Sequence, residues 1–277
     1  MSAFDFFELR VLRTERLGPT LLRITLGGDR ADEFVSGGRD QRFKLFLPHP
    51  HQETPVVPAD AGEDEWFARW RAMDPAERAI MRTYTVRAQR PGEIDVDFAL
   101  HGDGGPASRW AASARPGDPV TLIGPLVADN GGVDFDPPRE ADRILVFADE
   151  TALPAAGGIL EWLPSGTRAH AWIEVPHAAD RQDFEAKADV EVTWLVRDEG
   201  GSLLDAVPAA DLPLDGAPYT WIAGESGTVK RLRRHLVNER GLDRRSVRFM
   251  GYWRRGASEE DLLGEVLQGK DPHTSEE

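Results

Sequence analysis

The hydrophobic rhythm of the chain changes once, near Pro137-Pro138, and that change limits the folds open to it. Before it, apolar and β-branched residues come in short runs divided by turn residues. Residues 6–15, 20–26 and 43–48 read as strands, with Gly18-Pro19 as the turn between the first two. Residues 81–88 and 93–100 read as two more, joined through Gln89-Arg90-Pro91-Gly92 as a tight hairpin. In the second of these, Ile94, Val96, Phe98 and Leu100 alternate, so one face is buried. A short helix at 65–72 carries Trp66 and Trp70 on one side. Another at 106–114 follows a glycine-rich turn, and a strand at 119–124 closes the half. Many short strands with little helix point to a small antiparallel β-barrel.

After Pro138 strands and helices alternate. Residues 143–148 are an almost continuous apolar run, as a parallel strand buried on both faces requires. A helix at 152–162, strands at 169–175 and 190–197, a short helix at 202–207 and a strand at 219–223 follow. A basic helix at 228–239 stops at Gly241, and residues 247–253 form the last strand. Ser258 is placed to cap a final helix with Glu259, Glu260 and Asp261 in its first turn. The expected architecture is two-domain: a β-barrel over 1–138 and a Rossmann-like α/β domain over 139–277.

The chain has no cysteine, which removes disulfides, thiolate nucleophiles and cysteine-ligated clusters. Redox chemistry would have to come from a bound organic cofactor or from a metal in the substrate. The histidines and carboxylates show no metal-ligand spacing, so no resident metal is expected. A net charge of −15 argues against nucleic acid or an anionic membrane as the main partner. The first ten residues lack a signal-peptide pattern, and no apolar run approaches the ~20 residues of a membrane span. The expected location is the cytoplasm, without stable membrane insertion.

Four segments carry candidate chemistry. Arg82-Thr83-Tyr84-Thr85 puts a fixed cation, a ring and hydroxyls on one strand, with Arg82 and Tyr84 on one face and Thr83 and Thr85 on the other. A flavin needs a flat π partner, a donor near its reactive nitrogen and a cation for its diphosphate; Tyr84, Thr85 and Arg82 offer these. The same residues are also simply good strand formers. The stretch from Asp97 and Ala99 through His101-Gly102 to Pro106-Ala107-Ser108 runs from a strand through glycines into a helix start, where amides suit phosphate. An ordinary strand–turn–helix link reads the same way. Asp149, Thr151 and Ala152 form the first β-to-α turn of the second domain, without a G-x-G-x-x-G fingerprint. Gly224-Glu225 ends another strand, where small residues would let a cofactor approach the backbone.

Taken in this order, the segments RTYTVR at 82–87, DFALHGDGGPASRWA at 97–111, ADETALPA at 148–155, WIAGES at 221–226 and GYWRRG at 251–256 resemble the siderophore-interacting protein family, a branch of the ferredoxin–NADP reductase superfamily. The resemblance implies FAD on the barrel, NADH or NADPH on the second domain, and a ferric siderophore as substrate, with ferrous iron released in the cytoplasm. It carries Arg82, Thr83, Tyr84 and Thr85 over as flavin contacts, with Asp97, Ala99, His101, Gly102, Pro106, Ala107 and Ser108 around the ribityl and diphosphate groups. Asp149, Thr151, Ala152, Gly224 and Glu225 fall on the nicotinamide side, and Trp253 near the C-terminal side of the flavin. Ferric siderophores are often anionic, so Lys44 and Arg254, with Arg248 and Arg255, are candidate cations for the chelate. Glu174, about 23 residues beyond Thr151, leans the donor towards NADH by the ribose rule, with Arg181 as a counterweight downstream. A ferredoxin is the alternative donor, and a monomer the expected state. A general flavin reductase or diaphorase, and a non-catalytic carrier of flavin or chelate, are the competing readings.

Overall fold

The computed structural model describes residues 3–62, 64–100, 105–258, 261–262 and 264–265. It divides into two compact units, Met1–Asp134 and Phe135–Glu277, with the division four residues before the one read from Pro137-Pro138.

The first unit is a seven-stranded antiparallel sheet in the order β4-β3-β7-β1-β2-β6-β5. Its strands are β1 (Phe4–Arg16), β2 (Leu21–Gly27), β3 (Arg42–Leu47), β4 (Ile80–Thr85), β5 (Ala88–Arg90), β6 (Glu93–Ala99) and β7 (Pro119–Pro125). Alternation does the folding: Phe7, Leu9 and Val11 of β1, Ile24 of β2, Leu45 of β3, Val96 and Phe98 of β6 and Leu122 of β7 turn inward as one core. Helix α1 (Trp66–Ala72) covers the other face near Phe46, whose ring meets those of Trp66 and Trp70. Helix α2 (Pro106–Ser113) packs against β2, β4 and β6.

The strand expected over 81–88 is two strands. β4 and β5 lie at opposite ends of the sheet order, and Val86 and Arg87 turn the chain from one to the other. Val86 N–H still bonds Gln41 on the β3 side, at 2.8 Å, while Arg87 N–H bonds Asp95 of β6, at 2.9 Å. Curling the sheet brings its two edges to one corner, and this closes the barrel. The hairpin is therefore β5–β6 alone, with Arg90 opposite Glu93 and Gly92 at φ 70° after Pro91.

The second unit is a five-stranded parallel sheet in the order β10-β9-β8-β11-β12. Its strands are β8 (Arg143–Ala148), β9 (Arg168–Val175), β10 (Asp189–Val196), β11 (Pro218–Glu225) and β12 (Val247–Trp253). β8 is central, and Ile144 to Ala148 are buried throughout, which explains its unbroken apolar run. Helix α3 (Leu153–Trp162) follows β8. Helices α4 (Leu203–Ala209) and α5 (Ser226–Arg234) share a core with Leu145, Phe147, Trp172 and Ile222. The basic helix is shorter than expected: α5 loosens into a π-type turn at His235–Glu239, and Gly241 at φ 77° ends it. Ser258 caps the following turn as expected, its Oγ accepting Asp261 N–H at 3.2 Å. From β8 the chain winds outward to β10, then returns to lay down β11 and β12. The order thus reverses between β8 and β11, and a crevice opens at their carboxyl ends.

Candidate functional site

In the first unit the site is built on β4, an end strand of the sheet order. Arg82 and Tyr84 share the inner face with Leu45 and Phe43, their partners on β3. The Tyr84 ring lies 4.4 Å from that of Phe98, which lies 5.9 Å from Trp110 of α2. Three aromatic rings thus tie the strand to the helix. Thr83 and Thr85 face the other way, opposite Lys44 and Arg42. Lys44 Nζ donates to Thr83 Oγ1 at 2.6 Å, and Arg42 pairs with Asp134 at 2.5 Å. The inner-face pair and the hydroxyl pair of the RTYT segment therefore serve opposite sides of one strand.

Helix α2 starts at Pro106 after Gly105, which sits at φ 91° with open space where a side chain would project. Ala107 and Ser108 are buried in its first turn. His101 and Gly102 lie outside the described residues. Ala99 closes β6 opposite Leu21. The buried carboxylate of Asp97 is gripped by Arg23 of β2 at 2.7 and 2.8 Å, a cross-strand clamp. The Tyr84 ring and the Arg82 guanidinium on one face of β4, the backbone of Thr85 and the start of α2 would hold FAD.

In the second unit the site lies at the carboxyl ends of β8, β9 and β11. Asp149, just past β8, is buried and collects five donors. Its Oδ1 accepts Thr151 N–H at 2.9 Å, Thr151 Oγ1 at 2.5 Å and Ala152 N–H at 3.3 Å. Its Oδ2 accepts Glu225 N–H and Trp253 Nε1–H, both at 2.8 Å. Burial first, then the neighbouring Glu150 carboxylate, push the Asp149 carboxyl up to about 6, against the pull of these donors. Asp149 is thus a clasp for three strand ends, not an open cofactor contact.

Gly224 is explained by the same clasp. It sits at φ 141°, and a Cβ there would lie 2.5 Å from Asp149 Oδ2. The space expected for a cofactor's approach is filled by a carboxylate of the chain itself. Glu225 caps α5, its Oε2 accepting Thr228 N–H at 2.8 Å. Burial opposes its charge, but the amides of Thr228, Gly227 and Arg255 hold its carboxyl below the ordinary value. Trp253 ends β12 partly buried, its carbonyl accepting Ser226 Oγ at 2.9 Å.

A residue that the sequence reading passed over completes this edge. Arg197, at the end of β10, holds the buried Glu150 through two bonds of 2.7 and 2.6 Å and reaches Glu174 at 3.0 Å. Its position just past a parallel strand was the available signal. Glu174 gives its other oxygen to Leu203 N–H at 2.9 Å, at the start of α4. Both oxygens of its carboxylate thus have a protein partner. Arg254 forms a two-bond pair with Glu265 at 2.8 and 2.6 Å. Thr151, Ala152 and the edge around Glu225 remain the residues that would meet a nicotinamide dinucleotide; Trp253, expected near the flavin, stands on the same edge through its bond to Asp149.

Comparison with known proteins agrees with both halves. The model of the siderophore-interacting FAD-binding domain matches residues 10–129, and that of the siderophore-interacting protein matches residues 141–256. The ferric vibriobactin reductase of Vibrio cholerae is 30% identical over 264 residues, covering 91% of this chain and 90% of that protein. The NADPH-dependent ferric-chelate reductase of Escherichia coli K12 is 35% identical, covering 90% and 92%. The crystal structure of a siderophore utilization protein from T. fusca superposes with a TM-score of 0.77 at 35% identity, covering 93% and 96%. A barrel with this strand–helix frame, an α/β unit with this clasped edge, and likeness along nearly the whole chain lead to one assignment: the chain belongs to the siderophore-interacting protein family.

Proposed function

We propose that the chain is a ferric-siderophore reductase, drawing electrons from NADH or NADPH and delivering them through FAD to chelated iron. The observation that carries this reading is likeness over nine-tenths of the chain to two proteins named as ferric reductases. The donor set of β4 and α2 supports FAD as the carrier. When bound, FAD converts the two-electron chemistry of a nicotinamide into single-electron steps. One nicotinamide then reduces two ferric ions to ferrous ions and yields one proton. The chain's own residues bind and orient. Tyr84 offers its ring, Arg82 its charge to a diphosphate, and Thr85 a donor at the flavin's reactive side. Lys44 is the cation assigned to an anionic chelate. Among the described residues no helix is long and apolar enough to cross a membrane, and we assign the protein to the cytoplasm.

The test is an anaerobic visible spectrum of the purified, FAD-loaded protein. Flavin bands should bleach with NADH or NADPH and return on adding a ferric siderophore, with ferrous iron trapped in parallel. Bands that persist with both nicotinamides would overturn the donor assignment, and failure to take up FAD would overturn the whole reading. In the same experiment Lys44→Ala should slow the return of the bands with an anionic chelate and leave bleaching unchanged. An unaltered return would remove Lys44 from the chelate site.

A further inference from the structure

We propose that Asp149 is a positioning residue that acts through Trp253, holding that indole at one fixed angle at the carboxyl edge of the α/β unit. The inference rests on the reading that this edge receives the nicotinamide. Every partner of Asp149 is a donor: Thr151 through its amide and hydroxyl, and Ala152, Glu225 and Trp253 through N–H groups. The donors divide between the two oxygens, so only a side chain with two acceptors satisfies both sets. An asparagine would turn its NH₂ towards one of them.

Such a carboxylate is expensive where it sits. It is buried and makes no ion pair with any described residue, so no cation offsets its desolvation. Pinning the turn after β8 does not require the Oδ2 side, because Thr151 and Ala152 both bond to Oδ1. Oδ2 is spent on Glu225 N–H and on an indole 104 residues away in sequence. Trp253 is held twice, by Asp149 at the ring and by Ser226 at its carbonyl. A register shift between Gly224 and Glu225 sets Trp253 opposite Glu225 in the β11–β12 pairing. The residue is only partly buried. A flat side chain fixed in angle and partly accessible is suited to align a planar ring beside it. The clasp thereby governs the geometry of the bound nicotinamide more than its affinity.

The test uses the FAD-loaded full chain with ¹⁵N-labelled tryptophan. In the wild type the Trp253 indole N–H resonance, assigned by its loss in Trp253→Phe, should exchange slowly with water. In Asp149→Asn it should move and exchange fast. This readout needs no nicotinamide. In turnover, Asp149→Asn should lower kcat roughly ten-fold, as loss of orientation does, with KM within about two-fold. Trp253→Phe, which keeps a ring but lacks the N–H, should lose kcat to a similar extent. In the Trp253→Phe background, adding Asp149→Asn should cost less than about two-fold more, the non-additivity of residues acting together.

A purely structural Asp149 would give equal losses in both backgrounds, and that result would overturn the inference. So would wild-type kcat in Trp253→Phe, a variant that keeps the clasp's other four bonds and remains decisive if Asp149→Asn does not fold. A wild-type protein with the slow-exchanging indole but no oxidation of either nicotinamide would sink the reductase donor assignment and leave the clasp standing.

Discussion

A single carboxylate, that of Asp149, explains more of the α/β unit's edge than any cofactor motif does. The sequence showed an aspartate after a buried strand, a Gly-Glu at another strand end and a Trp at a third. It could not show that these meet, because 76 and 104 residues separate Asp149 from its Oδ2 partners. Gly224 reads in sequence as room for a ligand, but the structure makes it room for Asp149. Gly224→Ala should therefore cost about 2 kcal/mol, from an unfavourable φ and a Cβ pressed on the carboxylate. A fall in the urea midpoint at constant slope would register it, and an unchanged midpoint would contradict the contact. The clasp also predicts a pH signature. Its folded value of about 6 lies above the ordinary 3.8, so between those limits the folded protein binds a proton that the unfolded chain does not. Asp149's contribution to stability thus rises as pH falls through about 6 towards 4. The stability difference between wild type and Asp149→Asn, which lacks this proton, should move in the wild type's favour between pH 7 and 4.5. A flat difference would mean that the carboxyl titrates normally.

At the level of elements, periodicity carried most of the information. β8 lies where its apolar run puts it, since local burial fixes it. The strand read over 81–88 was split because its break has no local signature. Val86 and Arg87 look like strand residues, and only closure of the barrel turns them from the β3 side to β6. The same limit hid the role of Asp97. Alternation placed it on a face of β6, but its partner Arg23 lies across a strand pair, 74 residues away. Arg23→Ala leaves a buried carboxylate without its cation. Removing one partner of a buried pair costs roughly 3–5 kcal/mol. Arg23 is 22% exposed, so about 2–3 kcal/mol is expected here. The variant should melt earlier yet retain its FAD. Loss of flavin without loss of stability would return Asp97 to the cofactor site.

On the scale of the whole molecule, charge bears most directly on the choice of electron donor. The chain carries −15, and the edge assigned to the nicotinamide adds Asp149, Glu150, Glu174 and Glu225 against Arg197. Asp149, Glu174 and Glu225 already accept the first amides of α3, α4 and α5 or of the turns leading into them, donors that commonly serve a phosphate in open parallel sheets. A dinucleotide therefore meets a negative surface and helix starts already occupied by the protein. The 2′-phosphate of NADPH adds about two charges to those of NADH, so it feels the repulsion more. Screening reverses this: the Debye length falls from about 30 Å at 0.01 M salt to about 10 Å at 0.1 M. KM for NADPH should accordingly fall as salt rises over that range, and fall more than KM for NADH, while kcat changes little. The opposite trend, with KM for NADPH rising in salt, would mean that a local cation holds the phosphate and outweighs the field of the whole protein. Arg181, 3.8 Å from Glu199 beyond the end of β9, would then be the first residue to replace.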